Sequence, residues 1–341
     1  MENIREQNSK FIVAKTMNEW IEIAKGEPIP KMLFSELWHE GEICILFSST
    51  GLGKSVLAMQ IADSISRGIN ISGFKMEASK QKVLYFDFEL SGKQLQKRYS
   101  SNFENNYIFD DNFIRVKIDG TNIPSGVIYE DYLINEIESY IVESEIKIIV
   151  IDNLTYLRGD VEKAKDALPF MKKLNNLKVV YGLSILVLAH TPKRSVFNAL
   201  TLTDLSGSSA LSQFCDSCFA IGKSVKDPKL RYIKQLKERY TENFYGEDNV
   251  IVCKLDQPCN YLHFIFINFG READYLQSLS DSERNHSIEV AMGLKKEGQS
   301  YREIGKQLGV SHTAIGNWLK LNKDKSPAES KVGVKYDNVS I

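Results

Sequence analysis

The sequence predicts an α/β fold: a mainly parallel sheet extended by antiparallel strands, followed by a small all-α unit. Three observations predict it. From Glu42 onward, the short apolar runs EICILF, KVLYFDFE, FIRVKI, KIIVID and SILVLA alternate with helical patterns, the clearest being KSVLAMQIADSIS. Apolar strands of this length separated by helices imply parallel pairing with both faces of the sheet covered. After Gly207, the runs SCFAI, LRYIKQLK, NVIVCKL and YLHFIFINF follow one another through turn-rich segments, which predicts antiparallel strands added to the same sheet. Residues 284–322 then return to helical periodicity.

Taken in order, residues 1–27 form an N-terminal arm. Thr16 and Glu19 have the spacing of a capping box, and Met17, Trp20, Ile21 and Ala24 make an apolar stripe that stops at GEPIP. Residues 28–270 are the α/β domain, 271–283 a polar linker or connecting helix, 284–322 a helical domain, and 323–341 a mobile tail poor in large apolar residues. A chain of 341 residues that is 43% apolar can bury a large core. Its 43 basic and 44 acidic residues nearly cancel, so any surface for nucleic acid must be local. The five cysteines, Cys44, Cys215, Cys218, Cys253 and Cys259, are too few for a disulfide framework and predict a reducing, cytoplasmic setting. Cys215 and Cys218 lack a second CxxC or a paired-histidine motif, so they read as small apolar core residues, with a zinc or redox site as the alternative. The longest apolar runs fall far short of the roughly 20 residues a membrane helix needs, and no membrane partner is expected.

The first chemical signal is FSSTGLGKSVL, residues 47–57. A strand that enters a glycine turn and then opens a helix makes a nest of N–H groups at a positive helix end, which suits a polyphosphate. Ser49, Thr50, Gly51, Leu52, Gly53, Lys54, Ser55 and Val56 form the cradle. Lys54 supplies charge to the outer phosphates and the Ser55 hydroxyl a ligand for Mg2+. Ser48 stands where such loops usually have their first glycine; it is small, and the turn can be made there without positive φ. An ordinary glycine turn before a helix is the plainer alternative.

Three further strand ends carry polar groups. KIIVIDN puts Asp152 at the carboxyl edge of an apolar strand, where a carboxylate can back a metal. Asn153 follows it in place of a glutamate, so the group addressing water must come from elsewhere. Asp87 and Glu89 in KVLYFDFEL are candidates, Glu89 being otherwise a solvated strand terminus. His190, closing SILVLAH, can touch a terminal phosphate or be a structural histidine.

Together these residues resemble the RecA-like P-loop ATPases, in particular the branch of RepA-type plasmid helicases and DnaB-like ring helicases, over roughly residues 28–268. The resemblance implies ATP with Mg2+ as cofactors, Glu89 as the residue that activates water, and His190 as the sensor of the γ-phosphate. LKERY, residues 236–240, is similar to the Lys-x-Arg that ring members project into a neighbour's nucleotide. That would make Lys237 and Arg239 fingers acting in trans in a homo-oligomer, expected to be a hexamer; a basic strand end at the surface is the alternative. The segment 194–207 stands where the family has its pore loops, so Lys193 and Arg194 are candidates for phosphate contacts to single-stranded DNA.

The second signal is QSYREIGKQLGVSHTAIGNWLKL, residues 299–321. Ser300 and Glu303 are spaced as a capping box, Ile304 and Leu308 face inward, Gly309 permits a tight turn, and Ser311 caps a second helix that returns Ile315 and Trp318 to the core. Gly305 leaves room for a close crossing. This is a helix-turn-helix pattern resembling resolvase and regulator domains. Ser311, His312, Thr313, Asn317 and Lys320 are then candidates for duplex DNA contacts. Residues 284–325 hold eight Lys/Arg against four Asp/Glu, a local positive excess. A protein-docking hairpin is the alternative. The expectation for the whole chain is an ATP-driven ring motor on DNA, with an ATP-controlled DNA-binding regulator as the competing reading.

Overall fold

Alternation along each central strand sends one set of side chains to each face of the sheet. In Ile43–Ser48 (β1), Ile43, Ile45 and Phe47 enter one core while Cys44 and Leu46 enter the other. Val83–Asp87 (β2), Ile148–Asp152 (β4) and Ser184–His190 (β5) repeat the pattern. With Phe113–Val116 (β3), Ser217–Lys223 (β6), Leu230–Lys237 (β7), Val250–Asp256 (β8) and His263–Gly270 (β9), they make one nine-stranded sheet of order β9-β8-β7-β6-β1-β5-β4-β2-β3. This is the architecture of a computed structural model that describes residues 12–117, 129–153, 167–191, 198–205, 208–276, 281–308 and 310–323.

Both faces are covered, as continuous apolar strands require. The Lys54–Arg67 helix (α2) packs Val56, Leu57, Ile61 and Ile65 on one face, and the short Gly92–Arg98 helix (α3) follows β2. Tyr129–Ser144 (α4), Ala167–Tyr181 (α5) and Ser208–Phe214 (α6) supply Ile137, Ile141, Met171, Leu174 and Leu211 to the other. β7, β8 and β9 are antiparallel, as the sequence predicts. β6 corrects that expectation, since it runs parallel to β1. The reason is α6, which lies between β5 and β6 and provides the crossover that a parallel connection needs.

The Thr16–Glu19 capping box forms at the start of Met17–Ala24 (α1), and the whole of that helix lies outside the core, Met17 being 74% exposed. Residues 271–276, expected to begin a polar linker, hold a short turn whose Glu272 is buried. That carboxylate accepts hydrogen bonds from Leu200 N at 2.7 Å and Lys234 Nζ at 2.5 Å. Cys44, Cys215, Cys218 and Cys253 are buried and Cys259 is exposed. No helix among the described residues is long and apolar enough to cross a membrane. The tail beyond Lys323 lies outside the described residues.

The C-terminal pattern folds as three helices, Asp281–Lys296 (α7), Tyr301–Leu308 (α8) and His312–Lys323 (α9), around Ala291, Ile304, Ile315 and Trp318. Ser300 and Glu303 cap each other's backbone, and Ser311 Oγ accepts from Ala314 N at 3.1 Å. Gly309 lies outside the described residues. A Cβ on Gly305 would come within 2.7 Å of the Val310 carbonyl oxygen, a main-chain atom that cannot swing aside. Gly305→Val is therefore expected to destabilise the α7–α9 unit by about 1–3 kcal/mol. Hydrogen exchange checks this through lost amide protection across α8 and α9, with protection of the sheet unchanged.

Candidate functional site

Parallel pairing brings the predicted strand ends to one edge. Ser48 is the register partner of His190, and Asp87 that of Asp152. β5 lies between the loop strand β1 and the carboxylate strand β4, so His190 stands between the glycine loop and Asp152.

The loop after β1 turns on Gly51 (φ 79°) and Gly53 (φ 100°), conformations that favour glycine. Ser48 has no positive φ, so the missing first glycine costs the turn nothing. Gly53 opens α2 without a side-chain cap. A fourteen-residue helix thus presents its first N–H groups to whatever anion the loop receives. Sequence-distant strands brace the loop: Arg231 Nε of β7 donates to Leu52 O at 3.3 Å, and a Cβ on Gly53 would lie 2.9 Å from the Phe264 ring of β9.

Lys54 is buried. Its Nζ donates to Ser48 O at 3.0 Å and lies 3.2 Å from His190 Nδ1. Burial pushes its pKa down to about 8, against the pull of Asp152 and Glu89. Lys54 can only donate, so Nδ1 accepts and the ring proton sits on Nε2, 3.6 Å from Glu89 Oε1. The Asn153 amide N–H group donates to Glu89 Oε1; its nitrogen also lies 3.0 Å from His190 Nε2, a contact between two donors and not a hydrogen bond. Hydrogen bonding from His190 holds the Glu89 carboxyl below the usual range, so it stays a carboxylate. Lys54 and His190 therefore lead to Glu89, and Asn153 is a separate donor to the same carboxylate.

Asp152 is 1% exposed, and burial pushes its pKa up to about 6 although the Ser55 and Tyr85 hydroxyls bond to it. The Tyr85 contact is 2.7 Å. Paired Ser55 and Asp152 oxygens are a hard donor set that fits Mg2+. Ser49, Thr50 and Leu52 are exposed or half-buried in the loop, while Val56 is buried in the core. Asp87 is a brace. Arg115 grips it at 2.6 and 2.9 Å, and it accepts from the backbone N–H groups of Glu89 (3.1 Å) and Leu90 (2.9 Å). β2 ends at Asp87, so Glu89 lies just past the strand in the segment that Asp87 pins.

Lys237 and Arg239 are elsewhere. Lys237 pairs with Cys218, near the start of β6, and Ser217 with Cys44, near the start of β1. Both cations thus lie at the opposite end of the sheet from the loop. Lys237 Nζ donates to the Ser212 and Cys215 carbonyls at 2.5 and 2.6 Å; Arg239 reaches Asp216 at 3.2 Å and Gln213 O at 3.0 Å. Lys193 and Arg194 lie outside the described residues. Ser311, His312, Thr313, Asn317 and Lys320 are all exposed on or beside α9.

Sequence reading missed Tyr85, Arg115, Arg231 and Phe264. Arg115 carried a signal as the one charge inside the short strand FIRV. The other three depend on strand order. With Lys54 assigned to phosphate and Asp152 to Mg2+, binding a magnesium nucleotide would need Lys54 charged and Asp152 ionised. Lys54 loses its proton as pH rises through about 8, and Asp152 gains one as pH falls through about 6. The kcat/KM for MgATP hydrolysis is expected to be bell-shaped with limbs near those values, since it reports groups of the free enzyme. A rate measured across the range that stays flat through both limbs contradicts the assignment.

No curated protein matches this sequence. Among solved structures, a KaiC-like protein from the hyperthermophilic archaeon Pyrococcus horikoshii OT3 is similar at 15% identity, over 67% of this chain and 91% of that one, with a TM-score of 0.46. The family model described as AAA domain matches residues 13–196. That span covers more than half of the 341 residues and includes the loop, Glu89, Asp152 and His190, so the chain belongs to the AAA domain family and carries the residues of a P-loop ATPase.

Proposed function

We propose that this ATPase is a ring-forming motor on DNA, with a RepA-type replicative helicase or DNA-maintenance motor of a plasmid or mobile element as the reading its residues fit best. The observation that carries it is the set of polar contacts joining Lys54 to His190, and His190 and Asn153 each to Glu89. In this reading the loop amides and Lys54 hold the triphosphate, and Ser55 and Asp152 hold Mg2+, which neutralises phosphate charge when bound. Glu89 accepts the proton of the attacking water. His190 contacts both the phosphate-binding lysine and the base, so loss of the terminal phosphate changes its partners. Thr191, whose N–H donates to Ser48 O at 3.1 Å, starts the segment that would carry that change toward Lys193 and Arg194 at a single strand.

The position of Lys237 and Arg239 supports a ring. At the far end of the sheet from their own loop they have no role in their own site, and a head-to-tail hexamer would let each pair serve a neighbour. The exposed face of α9 supports duplex contacts through Ser311, His312, Thr313, Asn317 and Lys320. That same face favours the second reading, an ATP-controlled DNA-binding regulator in which nucleotide sets only the oligomeric state.

A labelled fork substrate with ATP separates the two. Strand separation by the wild-type chain, lost in Glu89→Gln while that variant still binds ATP, is the expected result; DNA-stimulated hydrolysis without separation favours the regulator. The trans arrangement has its own measurement. Arg239→Ala should bind ATP and hydrolyse little, and an equal mixture with Lys54→Ala should recover activity at about a quarter of the interfaces. An inactive mixture that still assembles counts against it.

A further inference from the structure

His39, Glu42 and Glu238 converge at the amino end of the sheet, away from the phosphate loop. Each offers a ligand atom, and the three atoms lie within 4.8 Å of one another. His39 ends the two-residue strand Trp38–His39, Glu42 precedes β1 and Glu238 follows β7, so pairing of the central strands assembles the group from distant parts of the chain. His39 and Glu42 are buried, at 3% and 7% exposed.

One oxygen of each carboxylate is already fixed by its surroundings. Glu42 Oε2 accepts from His39 N at 3.1 Å and Ser217 Oγ at 2.8 Å. Glu238 Oε1 accepts from the backbone of Arg239 at 2.9 Å and Tyr240 at 3.0 Å. Outer groups orient metal-binding carboxylates in this way; Glu238 Oε2 carries only a long contact from Gln235 Nε2 at 3.5 Å, which an ion would replace. The histidine supplies the independent observation. Its Nδ1 is fully buried and has no hydrogen-bond partner among the described residues. A buried nitrogen left so is costly unless something ligates it. Tyr240 packs its ring 5.1 Å from the imidazole and limits how far it can turn.

We propose that His39, Glu42 and Glu238 bind a divalent transition ion such as Zn2+. One imidazole and two carboxylates suit that class, and small side-chain rotations would bring each ligand to roughly 2.0–2.2 Å from a shared ion. Glu238 lies between Lys237 and Arg239, so the ion fastens the LKERY segment to the start of β1. Its value for positioning those cations rests on the ring reading; the site itself does not.

The test uses the full chain, stripped with a chelator and titrated with Co2+ in excess Mg2+ and without nucleotide. The expected result is a single bound Co2+ with weak visible absorption, displaced by Zn2+. Glu238→Gln and His39→Gln should each weaken it about 10-fold or more. Because His39 is buried, circular dichroism checks that variant, and if it does not fold the more exposed Glu238→Gln decides. Absence of a cobalt spectrum, or equal affinity in the folded variants, overturns the site. So does a strong near-ultraviolet thiolate band, which would place the ion on Cys44, Cys215 and Cys218.

Discussion

Backbone pairing between β1 and β5, and between β4 and β2, is the constraint on which the rest of the molecule depends. It sets Ser48 beside His190 and Asp152 beside Asp87. A slip of one residue in either ladder would turn a row of chemistry toward the wrong face. The apolar alternation that fills the two cores is what fixes that register, so packing and chemistry are specified by the same residues.

The site that results is charged and drawn inward. Lys54 and Asp152 are both largely buried, and burial pushes each toward its neutral form. Such groups bind more strongly than exposed ones once an oppositely charged partner arrives, because less water screens them. Until then Lys54 rests on the Ser48 carbonyl and His190. The serine in place of the usual first glycine adds a hydroxyl, 3.4 Å from the lysine, to the carbonyl that any residue there would offer.

Much of this was legible from the sequence because the strands are continuous apolar runs and the loop has a fixed order of residues. Asp152, Glu89 and His190 each follow such a run, and the structure brings them to one edge. The direction of β6 was not legible. SCFAI looks like its antiparallel successors, and only the short helix before it decides the matter. Nor were Arg231 and Phe264 legible as neighbours of the loop, because nothing local in LRYIKQLK or HFIFINF marks a side chain that will meet residues near position 50. The grouping of His39 and Glu42 with Glu238 is of the same kind.

Arg231 and Phe264 also bear on what the smallest working piece of this protein could be. The family match ends at residue 196, before either of them. A fragment cut at that boundary would keep the loop, Glu89, Asp152 and His190 and lose the wall against which Leu52 and Gly53 are held. The bracing of the loop is therefore lent by strands that lie outside the family match, so the loop's own sequence does not by itself specify the surface it rests on.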